Sequence, residues 1–220
     1  MAFYFMIEIE KSYIVNDRQA LHEILRDFEY LGEKQLEDMY FDYASLCLLR
    51  QRKFLRIRDR QGLELKMVVA ENLSRRSVEL VYNFNDSSPD KGIVFNEISG
   101  HVFGDSICPP LMVDDALAVL RERGLGCYLS ISVTRKTYQS QMRGARIDVD
   151  HAAQGLVFID VELLAGQAVA FDNFLNELRE QAALIPSRGK FPVCLQRFNE
   201  EAYAIFEEVV ACRQKGITDR

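Results

Sequence analysis

Four stretches of this chain alternate apolar and charged residues with a period of two, and each sets two charges of like sign on one face. In "IEIEKS" Glu8 and Glu10 share a face with Ser12, and in "FLRIR" Arg56 stands beside Arg58; in "RIDVD" Asp148 stands beside Asp150, and in "FIDVEL" Asp160 beside Glu162. Period two is the strand period, so each pair lies on one side of a strand with its apolar neighbours on the other. The ordinary consequence would be a one-layer sheet with a charged side in water. A solvated side would carry mixed signs, however, because like charges set opposite each other destabilise paired strands. Sorting by strand calls instead for charged faces that converge on a common space, with the apolar faces turned outward under helices.

The remaining patterning fits that constraint. Alternation predicts strands at 5–15, 53–59, 63–69, 78–84, 93–98, 129–138, 145–150 and 157–164, with "DRQG" at 59–62 as a tight hairpin and "NDSSPDKG" at 85–92 as a longer connection. Helical spacing predicts helices at 17–31, 112–123, 167–184 and 199–214, the last capped by Asn199. No repeat or linker breaks the chain, so residues 1–220 are expected to form a single α+β domain.

Composition narrows the function. A net charge of -6 leaves no basic excess for nucleic acid. No apolar run is long enough to cross a membrane, and the opening "MAFYFMIEIEK" lacks the basic leader of a secretory signal. Five scattered cysteines without a CxxC (Cys47, Cys108, Cys127, Cys194 and Cys212) read as thiols of a reducing, cytoplasmic setting. Oligomeric state is left open.

Carboxylates without ligand-spaced His or Cys suit hard cations, Mg²⁺ or Mn²⁺ (with Ca²⁺ as a further fit), rather than zinc. Acids facing Arg and Lys across one space suit a metal-bound polyphosphate. The acids hold the metal, the metal bridges phosphoryl oxygens, and the basic residues neutralise the rest.

The paired acids of "EIEK", the block "YFDYASLCLLRQRKFLRIRDRQGLELK", the block "IDVDHAAQGLVFIDVEL" and the terminal "KFPVCLQRFNEEAY" resemble the CYTH, or triphosphate tunnel metalloenzyme, superfamily, and within it the thiamine triphosphatase branch. The resemblance implies a closed eight-stranded antiparallel β-barrel with helices packed outside, in which a small-molecule triphosphate is bound and, with Mg²⁺ or Mn²⁺, hydrolysed. Carried over by position, Glu8, Glu10, Asp148, Asp160 and Glu162 would hold the metal. Arg56, Arg58, Lys66, Lys136 and Lys190 would clamp phosphate oxygens, with Glu8, Glu10, Lys66, Arg56 and Arg58 at the catalytic centre. Phe54 stands where an aromatic could stack on the organic part of the substrate or simply pack. Glu97, in "FNEI", would be a further acid, with Phe95 in the place of a tyrosine. Ser12 stands where the signature ExExK has its lysine, and alternation turns Lys11 to the opposite face. Thiamine triphosphate is the favoured substrate. The alternatives are inorganic tripolyphosphate, cyclisation of ATP, or a triphosphate-binding module that turns over slowly.

Overall fold

The computed structural model describes residues 6–7, 10–71, 75–88, 90–164, 168–181, 184–187 and 189–216. Among these, the strands are β1 (Met6–Ile7), β2 (Glu10–Val15), β3 (Glu29–Tyr43), β4 (Lys53–Arg58), β5 (Gly62–Glu71), β6 (Arg75–Asn83), β7 (Leu125–Ser140), β8 (Ala145–Ala152), β9 (Val157–Leu163) and β10 (Leu184–Ser187). The helices are α1 (Arg18–Ile24), α2 (Cys47–Arg50), α3 (Lys91–Phe103), α4 (Val113–Glu122), α5 (Ala168–Gln181), α6 (Lys190–Phe198) and α7 (Glu200–Gly216).

The strands pair antiparallel in one sheet ordered β1-β6-β5-β4-β3-β7-β8-β9-β2-β10. The closed eight-stranded barrel expected from the sequence is thereby corrected: the sheet is open, with ten strands among the described residues and ends at β1 and β10. Closure needs a continuous ladder between the strands that meet. One edge of β2 is taken by β9 over Glu10–Ile14, and most of the other by β10 over Ser12–Val15. Among the described residues, only the pair Glu10 and Arg75 joins β2 to β6. The sheet curls far enough for that touch, without a continuous seam among the described residues.

Two long strands carry the curl. β3 and β7 pair from Tyr43 and Leu125 back to Glu29 and Gln139, with register shifts at Tyr30/Gly32 and Tyr40/Phe41. Such irregularities increase local twist and bend the strand that carries them. The "DRQG" turn forms as expected. Asp59 and Arg60 take positive φ, 52° and 55°, and Gln61 N–H donates to the Arg58 carbonyl at 2.9 Å, the twist that suits a tight hairpin.

Three apolar clusters hold the sheet. Ile147, Val149, Ile159 and Val161, on the outer side of β8 and β9, pack under α1 and α5. Leu55, Ile57, Leu63 and Leu65, on the outer side of β4 and β5, pack under α3 and α4. The third cluster lies on the charged side of the sheet, at one end: Leu36, Tyr40, Leu129, Ile131 and Val133 receive α6 and α7 through Phe191, Leu195 and Phe206. Asn199 caps α7 as expected, its Oδ1 accepting from Ala202 N–H at 3.0 Å.

Two further readings are corrected. Residues 93–98 are helical, inside α3; Phe95, Ile98, Ser99 and Val102 are buried at helical spacing, and Gly104 ends the helix at φ 80°. The helix expected over 17–31 stops at Ile24, followed by a single tight turn, Leu25–Asp27, before β3. Among the described residues, no helix is long and apolar enough to cross a membrane.

Candidate functional site

On the concave side of the sheet the ladder register sets charged residues directly across from one another. Lys66 on β5 faces Glu79 on β6, and Arg56 on β4 faces Glu64 on β5. Arg58 faces Asp38 on β3, and Arg135 on β7 faces Asp150 on β8. Asp148 faces Asp160 on β9, which in turn faces Ser12 on β2. Cross-strand pairs of this kind have neighbouring Cβ atoms, so their side chains meet.

They do meet. Lys66 Nζ lies 2.7 Å from Glu79 Oε1. Arg56 Nε donates to Glu64 Oε2 at 2.6 Å, with its Nη1 3.5 Å from Asp38 and 3.4 Å from the Tyr40 hydroxyl. Arg58 grips Asp38 through Nε and Nη2, at 2.7 and 3.0 Å. Arg135 grips Asp150 the same way, at 2.6 and 2.7 Å, while its Nη1 donates to Asp148 Oδ2 at 2.5 Å. Lys190, the first residue of α6, reaches back to Asp150 Oδ2 at 2.5 Å. Thr137 and Ser12 donate their hydroxyl hydrogens to Asp148 and Asp160, at 2.8 and 2.6 Å.

Part of this network lines a cavity of about 130 Å³. Its wall carries Arg56, Arg58, Lys66, Arg135, Arg146 and Lys190 against Glu79, Asp148, Asp160 and Glu162, with Ser12, Tyr40, Phe54 and Phe191 completing it. Phe54 is buried at this wall, its ring edge-on to Phe191 at 5.0 Å.

The electrostatics follow from burial and pairing. Burial pushes the Asp38 carboxyl up, but Arg56 and Arg58 outweigh it and hold it well below the usual carboxylate range. Asp150 behaves alike, raised by burial and lowered further by Arg135 and Lys190. Glu79 is raised by burial and brought below its ordinary value by Lys66. Tyr40, fully enclosed, is raised by burial.

Of the residues expected from the sequence, Arg56, Arg58, Lys66, Lys190, Asp148, Asp160, Glu162, Ser12 and Phe54 come together at the cavity. Glu8 lies outside the described residues, and Glu10 is described in its backbone, directly across from Glu162. Lys136 does not reach the cavity; it is 39% exposed and pairs with Glu33 at 3.4 Å. The inward position belongs to Arg135, because β7 alternates from Ile131 and Val133, which face the cavity side. Glu97 is likewise corrected: it is exposed on α3, and the acid that faces the cations is Glu79. Alternation within the expected strand 78–84, with Val78, Leu80 and Tyr82 on one face, carries the signal that would have found it. Asp38 was missed because β3 was missed.

Asp148, Asp160 and Glu162 are oxygen donors on one wall, the chemistry a hard divalent cation takes. Among the described residues no three acids, histidines or cysteines are already gathered in a metal-holding group.

A curled antiparallel sheet whose concave side gathers cations and acids around a cavity defines a class of α+β proteins. This chain belongs to the CYTH domain family, whose model matches residues 6–190. It is similar to human thiamine-triphosphatase, 24% identical over 230 residues covering 96% of this chain and 93% of that protein. Two solved structures share its fold. A Pyrococcus horikoshii protein has a TM-score of 0.57 at 20% identity, over 86% of this chain and 97% of its own. A putative adenylyl cyclase of Hippeastrum, described as having a dominant triphosphatase activity, has a TM-score of 0.55 at 16% identity, over 91% and 95%.

Proposed function

We propose that the protein is a cytoplasmic, metal-dependent hydrolase that removes the terminal phosphate of an organic triphosphate, with thiamine triphosphate the favoured substrate, and that residues 1–220 act as one unit. The observation that supports this reading is the cavity wall itself, six cations from β4, β5, β7, β8 and α6 set among acids from β6, β8 and β9. Membership of the CYTH family and the likeness to human thiamine-triphosphatase support it.

Asp148, Asp160 and Glu162, joined by Glu10 and Glu8, would hold Mg²⁺ or Mn²⁺. Such a cation polarises a phosphoryl oxygen and offsets charge developing on the phosphate. Arg56, Arg58, Lys66 and Arg135 bind the equatorial and bridging oxygens, and their fixed positions stabilise charge without reorganisation when the bond breaks. Water oxygen bonds to the terminal phosphorus as the bridging P–O bond breaks, giving phosphate and the diphosphate. Phe54 and Phe191 offer an apolar end to the cavity for the organic group.

Ser12 favours a second reading, a triphosphate-binding module with slow turnover, since the cavity wall carries a hydroxyl where the family signature has a cation. One panel separates them. Protein is incubated with thiamine triphosphate, tripolyphosphate or ATP, with Mg²⁺ or Mn²⁺, while phosphate, pyrophosphate and cyclic AMP are followed. Phosphate release that stops with EDTA and falls about 100-fold or more in Asp160→Asn supports the hydrolase. Tight binding without release supports the module, and cyclic AMP formation overturns both.

A further inference from the structure

The acids near the cavity divide into two sets that the proposed chemistry does not explain. Glu79, Asp148, Asp160 and Glu162 line the cavity. Glu64, Asp38 and Asp150 do not, although each touches an arginine that does; Glu64 is 13% exposed, whereas Asp38 and Asp150 are 1% and 0% exposed. An isolated buried carboxylate is costly, and replacing a buried ion pair by apolar groups is often neutral or stabilising. Stability alone therefore gives little reason for two such acids behind the wall.

Their geometry is the same in both places. Asp38 stands directly across the β3–β4 ladder from Arg58, and Asp150 directly across the β7–β8 ladder from Arg135. In each pair the carboxylate takes Nε and Nη2 of the guanidinium, one edge of the fork, with both distances at or below 3.0 Å. An edge-on grip of two parallel hydrogen bonds fixes the plane and the rotation of an otherwise flexible side chain. Nη1 then points away from the buried acid. In Arg135 it already donates to the cavity-lining Asp148; in Arg58 it lies 3.8 Å from Glu64, beyond hydrogen-bond length.

We propose that Asp38 and Asp150 are positioning residues, which hold Arg58 and Arg135 edge-on so that Nη1 of each is presented to the phosphate chain. This rests on the reading of the cavity as a triphosphate site. It adds that the donor is one defined nitrogen per arginine, and that affinity depends on acids the phosphate never touches.

The test is a double-mutant cycle in binding. Asp38→Asn keeps the shape but presents an N–H₂ group to the guanidinium, so the two-bond grip is lost. Arg58→Lys removes the edge on which the grip acts. Tripolyphosphate binding in fixed Mg²⁺ is measured calorimetrically for wild type, both single variants and the double variant, each checked for cooperative thermal unfolding. Asp38→Asn is expected to weaken binding about 10- to 100-fold, as loss of a partner that orients a ligating side chain does. The same change in the Arg58→Lys background is expected to cost at least about threefold less, since the two-bond grip is gone and the longer 3.5 Å contact with Arg56 is what remains for Asp38 to act through. Unchanged binding in Asp38→Asn, or an equal loss in both backgrounds, overturns the positioning role. A wild type that fails to bind tripolyphosphate overturns the triphosphate reading and this role with it, so the two failures are told apart. Should Asp38→Asn not fold, Asp150→Asn is judged by the same criteria in wild-type and Arg135→Lys backgrounds that both carry Lys190→Met, because Asp150 also accepts from Lys190 at 2.5 Å.

Discussion

Ser12 gives its hydroxyl hydrogen to Asp160 from the neighbouring strand, at the wall of the cavity. A lysine on the same Cα would reach past that oxygen and bring an ammonium group to the bound anion. The Coulomb gain for unit charges about 4 Å apart is about 4 kcal/mol at an effective dielectric of 20. Desolvating the ammonium and pairing it with Asp160 would consume most of this, leaving on the order of 1.4 kcal/mol, or about tenfold. Ser12→Lys is therefore expected to raise kcat/KM for tripolyphosphate about tenfold, read as phosphate release at subsaturating substrate. A variant no faster than wild type would remove the missing cation as the brake on turnover.

At the scale of the element, strand register decides which neighbours act. Arg135 and Lys136 are adjacent, but β7 turns the first to Asp148 and Asp150 and the second to Glu33 in solvent. Lys136→Ala is expected to change kcat/KM by less than about twofold, as for a solvent-screened pair. Arg135→Lys, which loses the planar fork, is expected to lower it about 100-fold. The same steady-state assay checks both. Register also explains what the sequence could tell. β4, β5, β8 and β9 each have one wholly buried face and one charged face, so their alternation is plain, and Arg56, Arg58, Lys66, Asp148, Asp160 and Glu162 could be read directly. β3 hides itself: most of Glu29–Gln35 is exposed on both faces, and only Leu36, Asp38 and Tyr40 turn inward to the site. With it went Asp38. In α3 the β-branched run of Ile93 and Val94 imitates a strand, and helical packing of Phe95, Ile98 and Val102 overrides that local preference. Glu97 was misplaced for that reason, while Glu79 stood on a strand that had been recognised.

For the whole molecule, the acids that hold the cations in place also tie stability to pH. Asp38 and Glu79 both titrate below their ordinary values in the folded protein, because the effect of nearby Arg and Lys exceeds that of burial. The unfolded chain therefore binds protons at a higher pH than the native one does, and stability rises with pH across that interval. Their contribution is fully present above about pH 5 and is lost as pH falls below about 4 toward the folded-state values. Thermal unfolding followed by circular dichroism should give a midpoint nearly flat from pH 6 to pH 5 and falling steeply below about pH 4. In Glu79→Gln the acid-side fall should be shallower.

The contact of Arg135 with both halves of the wall has a thermodynamic corollary. Its Nη1 donates to Asp148, and its Nη2 lies 3.7 Å from Asp160. A polyanion that takes over the Nη1 donor leaves Asp148 short of compensation, and a divalent ion restores the balance. Conversely, an ion captured by that carboxylate releases the guanidinium. If the cavity takes a triphosphate and a divalent ion as proposed, each recruits the other, by a factor that linkage requires to be identical in both directions. Titrating Mn²⁺ with and without tripolyphosphate, and tripolyphosphate with and without Mn²⁺, should return one shared coupling constant after correction for the complex the two form in bulk water. The protein would then respond to their joint concentration far more steeply than to either alone.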